Sequence, residues 1–278
     1  MCSESLDPTE PTQMTHDTSI GHGAGELQHP ASTIAGVIAA LDEIIDHCIE
    51  THSTLGYFAA LYRRVTIKVA MGIEAGMFED GPRMEELDVV FANRYLEAYH
   101  AHRRGEETTA AWQAAFSTEH LPQLSALQHL VLGMNAHINL DLGIAACEVA
   151  GGTPMALKAD FMTINEILNS EINATQNRIA RFVRPLRLVD RLLGSVDEQL
   201  SMFSISYARD KAWTQTLELC AGGSGSRDSL IRQRDEAVAL FAQKLIRPSG
   251  FLIRFSIFLL RLFERGTTAE KVRLLATD

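Results

Sequence analysis

The chain has 278 residues, enough to bury a sizeable core, and 46% of them are hydrophobic, which excludes a disordered protein. A formal charge of -10 and an isoelectric point near 5.5 exclude the basic face that phosphate contacts require, so no nucleic-acid partner is expected. Cys2, Cys48, Cys147 and Cys220 are scattered with no Cys-x-x-Cys pair, and read as reduced packing residues of a cytoplasmic protein.

Residues 1–30 mix Ser, Thr, Pro, Gly, Asp and Glu without periodicity and read as a flexible tail carrying His16, His22 and His29. The stretch lacks the positive start and apolar run of a secretory signal. From residue 31 to residue 278 apolar residues recur at helical spacing and no stretch alternates as a strand would. The expectation is all-α, a single bundle-like domain of about nine helices.

In chain order, the first helix covers about Thr33 to His52 and the second about Leu55 to Met77, with Glu79 to Pro82 as the break. A third spans about Arg83 to Arg103, and a short one carrying Trp112 and Phe116 follows the RRGEETT break. Leu121 and Pro122 open a central helix, about Gln123 to Val149, which Gly151 and Gly152 end. Thr153 is a good N-cap with Pro154 in the first turn, and that helix runs to about Val183. Pro185 begins a shorter helix, and later ones cover Asp197 to Cys220, Asp228 to Ile246 and Gly250 to Glu264, with Ala221 to Arg227 as a mobile connection.

Two surface features stand out. Arg178, Arg181, Arg184, Arg187 and Arg191 form a stripe that reads as a solvated or ion-paired face. FLIRFSIFLLRLF, Phe251 to Phe263, is too short and too interrupted by Arg254 and Arg261 to span a bilayer. It reads as a terminal helix closing the core, and a membrane-surface role is the alternative because Arg254, Arg261 and Arg265 share one side.

Charged residues centred on an apolar arc are the informative ones. Asp88 shares its arc with Met84, Phe91, Ala92, Tyr95 and Tyr99; Asp160 lies among Leu157, Ile164, Ile167 and Leu168; Asp210 lies among Phe203, Ser206, Tyr207, Trp213 and Leu217. Arg63, Arg64, Arg94 and Arg209 are candidate partners.

The central helix contains HLVLGMNAHINLDLG, His129 to Gly143. At 100° per residue His137 and Asp141 lie one turn apart on one face, and Asn135 and Asn139 lie on the opposite side. His129 is about 12 Å from His137 along the axis, too far to share an ion with it. Gly133 costs about 1 kcal/mol against Ala, which points to a close approach there.

Three readings follow. A divalent metal, zinc or iron, would use His137, Asp141 and Asp160, with Asp210 or Asp88 as further carboxylates. A metal-free pair would have Asp141 orienting His137, which then moves a proton. A structural network would leave these groups satisfying one another. Glu97 and His100 make one Glu-x-x-His pair of a di-iron bundle, but the second is missing. P-loop, Gly-x-Gly-x-x-Gly, His-Glu-x-x-His and Gly-x-Ser-x-Gly motifs are absent from the sequence.

GMNAHINLDLGIAA, with GYFAALYRRVT at Gly56 to Thr66, FEDGPRMEELDVVFANRYL at Phe78 to Leu96 and ARDKAW at Ala208 to Trp213, resembles an all-helical bacterial family of unknown function over about residues 33 to 270. That resemblance implies the fold and carries no activity, substrate or cofactor. His137 and Asp141 also resemble the His-x-x-x-Asp of zinc-dependent phospholipases C and related single-strand nucleases. Those enzymes use an N-terminal amine and a histidine-rich segment that this sequence does not match.

The reading reached from sequence is an enzyme with a buried site on a small or lipid-like molecule, hydrolytic if a metal binds. His137, Asp141 and Asp210 are its catalytic candidates, and Asn135, Asn139, His129, Tyr95 and Trp213 would contact the ligand. An oxidative enzyme is the variant if the metal is iron. A non-catalytic binding module walled by Tyr95, Tyr99, Phe203, Tyr207 and Trp213, or a membrane-peripheral scaffold, is the alternative.

Overall fold

The computed structural model describes residues 30–182 and 205–277. The expected tail, the helix from Pro185, the first residues of the helix from Asp197, Phe203, and Arg184, Arg187 and Arg191 lie outside them.

Eleven α-helices and no strand occur among the described residues. They are α1 (Ile34–Thr51), α2 (Gly56–Glu74), α3 (Gly81–Arg103), α4 (Ala110–Phe116), α5 (Ala126–Ala136), α6 (Leu142–Ala150), α7 (Pro154–Phe182), α8 (Ile205–Ala221), α9 (Ser224–Ile246), α10 (Phe251–Phe263) and α11 (Thr268–Ala276). A single π-helical turn, His137–Asp141, joins α5 to α6, so the central helix is continuous from Ala126 to Ala150.

Local chemistry places the ends. The Thr33 side chain accepts from Gly36 N–H to start α1, and Asp80 accepts from Arg83 N–H to start α3 with Pro82 in its first turn. Ser125 and Gln128 form a reciprocal capping box, which is why α5 starts at Ala126 rather than at Gln123. Gly151, at φ 54°, ends α6 in the left-handed conformation that favours glycine. The connection expected at Ala221 to Arg227 is shorter than its composition suggests. Here α9 already begins at Ser224, and Arg227 Nε donates to Leu219 O at 2.7 Å, tying the new helix to the end of α8. The short α11 escaped the sequence reading; a second capping box, Thr267 with Glu270, starts it.

The central helix is wrapped by α2, α3, α4, α8 and α9. By length and apolarity it is the one helix among the described residues able to cross a membrane, and 78% of its most apolar window is buried in protein. That burial accounts for its composition. A second tie binds the chain's far ends: buried Arg64 on α2 donates to Glu171 on α7 at 2.5 Å and to the Thr277 carbonyl.

Glycines set two close approaches. A Cβ on Gly133 would lie 2.5 Å from Phe58 Cγ, and one on Gly143 would lie 2.6 Å from Gln215 Oε1. These positions let α2 and α8 press onto the central helix.

Candidate functional site

The π turn is the local feature from which the site is built. Leu142 N–H donates to His137 O, five residues back, so the turn holds one residue more than an α-helix would. Side chains from distant helices donate to its carbonyls. Arg234 Nε of α9 donates to Asn139 O at 2.7 Å, and Gln215 Nε2 of α8 donates to Leu140 O at 3.3 Å.

The turn sorts the polar residues onto two sides. Asn135 Nδ2 donates to Val238 O of α9 at 3.1 Å and Asn139 Nδ2 donates to Asn135 Oδ1 at 3.0 Å, so this pair braces helix against helix. His137 and Asp141 face the other way, toward α2, α3 and α4.

Asp141 is 1% exposed and held from two helices. Arg94 Nε of α3 donates to Oδ1 at 2.9 Å, and Trp112 Nε1 of α4 donates to Oδ2 at 2.8 Å. His137 Nδ1 lies 3.5 Å from the same Oδ2. Neither ring nitrogen of His137 has a well-directed hydrogen bond among the described residues.

Aromatic rings enclose this imidazole. Phe91 stacks on it with centroids 3.6 Å apart and planes 9° apart, and Tyr62 meets it edge-on at 4.4 Å. Phe58, Tyr95 and Trp112 complete the cage at 5.6, 6.2 and 6.1 Å. Phe91 and Arg94 are only half-buried, so they form the outer wall, and His137 lies directly behind it. Phe58, Tyr95 and Trp112 also line a neighbouring cavity about the size of one water molecule, together with His129, Thr118 and Gly133.

Burial governs the charges. It pushes His137 below the ordinary imidazole range, against the opposing pull of Asp141, so the ring is neutral at pH 7. It lowers His129 to about 4 and raises Asp88 to about 7, the latter with help from Glu85. The Tyr62 and Tyr95 phenols are held well above their usual range, again chiefly by burial, with Asp88 adding to the effect on Tyr62. Asp88 Oδ2 and the Tyr95 hydroxyl have no hydrogen-bond partner among the described residues.

These shifts have opposite linkage. His129 and His137 bind protons more readily unfolded, so their contribution to stability falls away as pH drops below 6.5, for His129 through about 4. Asp88 keeps its proton longer when folded, so its contribution is present below 3.8 and is lost as pH rises to about 7. Asp88→Asn is therefore expected to stabilise the protein near pH 8, by no more than about 4 kcal/mol, and to have little effect near pH 4. Urea midpoints at the two pH values check this, and a variant less stable than wild type near pH 8 would mean that the carboxylate has a charged partner.

The family model described as a family of unknown function (DUF5995) matches residues 34–248. The chain belongs to this family. No curated protein and no solved structure matches it. The DUF5995 match encloses the π turn, the aromatic cage, Arg94 and Asp88, and it stops just before α10.

Other expected residues lie elsewhere in the DUF5995 fold. Asp160 is buried but occupied: it accepts from Glu79 and Asp80 N–H at 2.7 and 3.1 Å and from Arg83 at 3.1 Å, so it pins the loop before α3. Asp210 is exposed, because α8 buries the adjacent arc of Ala208, Ala212, Trp213, Thr216 and Leu219. Among the described residues no three His, Cys, Asp or Glu side chains converge as a metal would need, and both Asp141 oxygens already have donors. The metal set His137, Asp141 and Asp160 is thus not assembled.

Nor do the expected ligand walls meet. Tyr95 belongs to the cage, whereas Trp213 packs on Phe161 of α7 at 5.0 Å and Tyr207 is exposed. His129 is 3.2 Å from Thr118 Oγ1 and tilts against Tyr57. Of the candidate arginines, Arg63 pairs with Asp42, Arg64 with Glu171 and Arg94 with Asp141. Arg209 instead donates to Asn165 and to the Phe161 carbonyl. Trp112 and Phe91 were missed as site residues; an isolated Trp in a short alanine-rich helix was the available signal for the first.

Proposed function

We propose that the protein is an enzyme in which His137 acts as a metal-free general base, with Asp141 as its orienting partner, in hydrolysis of a small acyl compound. The observation that carries this reading is a buried, neutral imidazole whose Nδ1 lies 3.5 Å from a carboxylate that two other side chains hold in place, and whose Nε2 has no hydrogen-bond partner among the described residues. Such a carboxylate fixes the tautomer: Nδ1 keeps its proton toward Asp141 and Nε2 keeps a lone pair for catalysis.

The reaction follows from that tautomer. Nε2 takes a proton from water as the oxygen attacks the acyl carbon, and the imidazolium returns the proton to the leaving oxygen. Neutral hydroxyls of Tyr62 and Tyr95 are the donors suited to an oxyanion in this low-dielectric enclosure. Phe91 is the door, since among the described residues it alone stacks on the ring from the half-exposed side.

p-Nitrophenyl acetate is the probe. Hydrolysis is expected to depend on one ionisation below 6.5 and to stay level through neutral pH, because the base must be unprotonated. His137→Gln is expected to lower kcat/KM by about 100-fold or more, and EDTA to leave it unchanged. Equal rates in folded wild type and His137→Gln would show a purely structural network. Loss in EDTA with recovery in zinc would replace this reading with a metal-dependent one.

A further inference from the structure

The helix α10 is built the wrong way round for a core element. At 100° per residue Phe251, Phe255, Phe258 and Leu262 fall within about 60° of arc. They are 80%, 44%, 59% and 61% exposed, while Ser256 and Leu260 on the opposite arc are each 4% exposed. These rings face outward, and Phe251 and Phe255 stack on each other with planes 9° apart.

Charge tells what fits this stripe. Between Glu236 and Glu264 the sequence holds Lys244, Arg247, Arg254 and Arg261 and no carboxylate, although the whole chain carries -10. Arg254 and Arg261 flank the stripe on one side. Glu264 is itself neutralised by Lys271 at 2.8 Å. An apolar aromatic face with a cationic flank is the pattern of a helix lying in a bilayer interface.

The geometry points to α10 as a docking helix for the surface of an anionic phospholipid bilayer. Phe251, Phe255, Phe258 and Leu262 enter the acyl boundary, and the exposed Arg254 meets lipid phosphates. Two features position the helix for this. It begins just after residue 248, where the family match ends, and its inner face is fastened to the fold by Arg261 Nε donating to Pro122 O at 2.7 Å and Glu264 accepting from Ala126 N–H at 2.8 Å. A second copy of the chain fits less well. An antiparallel copy would set arginine flank against arginine flank, and four side chains fall short of the roughly 800 Å² per partner of a stable interface.

The test is co-sedimentation of the full chain with vesicles of phosphatidylcholine alone and of phosphatidylcholine with phosphatidylglycerol. Binding is expected to the anionic vesicles only, to weaken with added salt, and to fall roughly tenfold for Phe255→Glu or Phe258→Glu. Both positions are exposed, so melting curves of the variants should match wild type. Absence of binding to anionic vesicles, or equal binding by the glutamate variants, overturns the proposal. So does a concentration-dependent dimer that Phe258→Glu dissociates without any vesicle binding.

A separate observation concerns the seam between α6 and α8. Cys147 and Cys220 bring their sulfurs to 2.7 Å, one turn beyond the contact of Thr216 Oγ1 with Gly143 O. We infer that these thiols form a disulfide when oxidised glutathione is present. Cys220, the less buried, attacks the glutathione disulfide and releases one glutathione; Cys147 then attacks the Cys220 sulfur and releases the second. Burial and Cys147 push the Cys220 thiol up to about 12, so the exchange should quicken as pH rises.

Peptide mapping without reductant after such treatment is expected to show a Cys147–Cys220 link lighter by two hydrogens, absent in Cys220→Ser. Persistence of both free thiols under excess oxidised glutathione at alkaline pH, or a link involving Cys48 instead, overturns it.

Discussion

Arg94→Met is expected to destabilise the protein by about 3 kcal/mol at neutral pH. The substitution keeps the apolar stem of the side chain, so lost packing is a minor part. What it removes is the only cation among the described residues on a carboxylate that is 1% exposed, and stranding one member of a buried pair costs about 3–5 kcal/mol. Trp112 still donates to Oδ2, which puts the expectation at the low end. Adding Asp141→Asn removes the stranded charge and should recover more than half of the loss. Denaturant unfolding of the two single variants and the double variant measures this. A single Arg94 variant within about 0.5 kcal/mol of wild type would mean that the pair behaves as a surface ion pair. The same variant should lower p-nitrophenyl acetate hydrolysis, because Asp141 then loses one of the two bonds that aim it at His137.

The second large effect concerns Gly133→Ala, where two terms of opposite sign compete. Helix propensity favours alanine by about 1 kcal/mol. Against it, the new Cβ would meet Phe58 Cγ at 2.5 Å and Phe58 Cβ at 2.7 Å. A rotamer change moves Cγ but not Cβ, so relief requires α2 and α5 to separate. Overpacking of this kind costs about 1–3 kcal/mol or more, and a net loss of about 2 kcal/mol is expected. Phe58 also meets His137 edge-on at 5.6 Å, so the near-UV dichroism of the aromatic cage should change as well. Gly36→Ala is the control. There the nearest atom lies at 3.4 Å, and the propensity gain should show as a small stabilisation. If Gly133→Ala also stabilises, the central helix is not clamped against Phe58.

Much of the fold was legible because helix formation is local. Thr33, Asp80 with Pro82, Ser125 and Gly151 act on backbone groups within four residues, and most expected boundaries lie within a few residues of these; the Thr153 hydroxyl, expected to cap the helix from Pro154, donates back to Ala150 O. The misplaced ones are equally instructive. At Ala221 to Arg227 composition suggested a mobile connection, whereas α9 begins at Ser224 and Arg227 donates to the Leu219 carbonyl.

For the candidate site, periodicity alone determined that His137 and Asp141 share one face, that Asn135 and Asn139 share the opposite one, and that Asp88 and Asp160 are buried. Only the tertiary structure decided their partners. Arg94 could have served Asp88 and instead holds Asp141; Asp160 spends its oxygens on loop amides; Asp210 turned outward because α8 buries the arc beside it. The π turn lies furthest beyond sequence reading, since two of its carbonyls accept from Gln215 and Arg234, 75 and 95 residues further along. A helix's own hydrogen bonds are made among near neighbours in the chain. The choice of which buried charge meets which donor is made by packing between segments far apart in it.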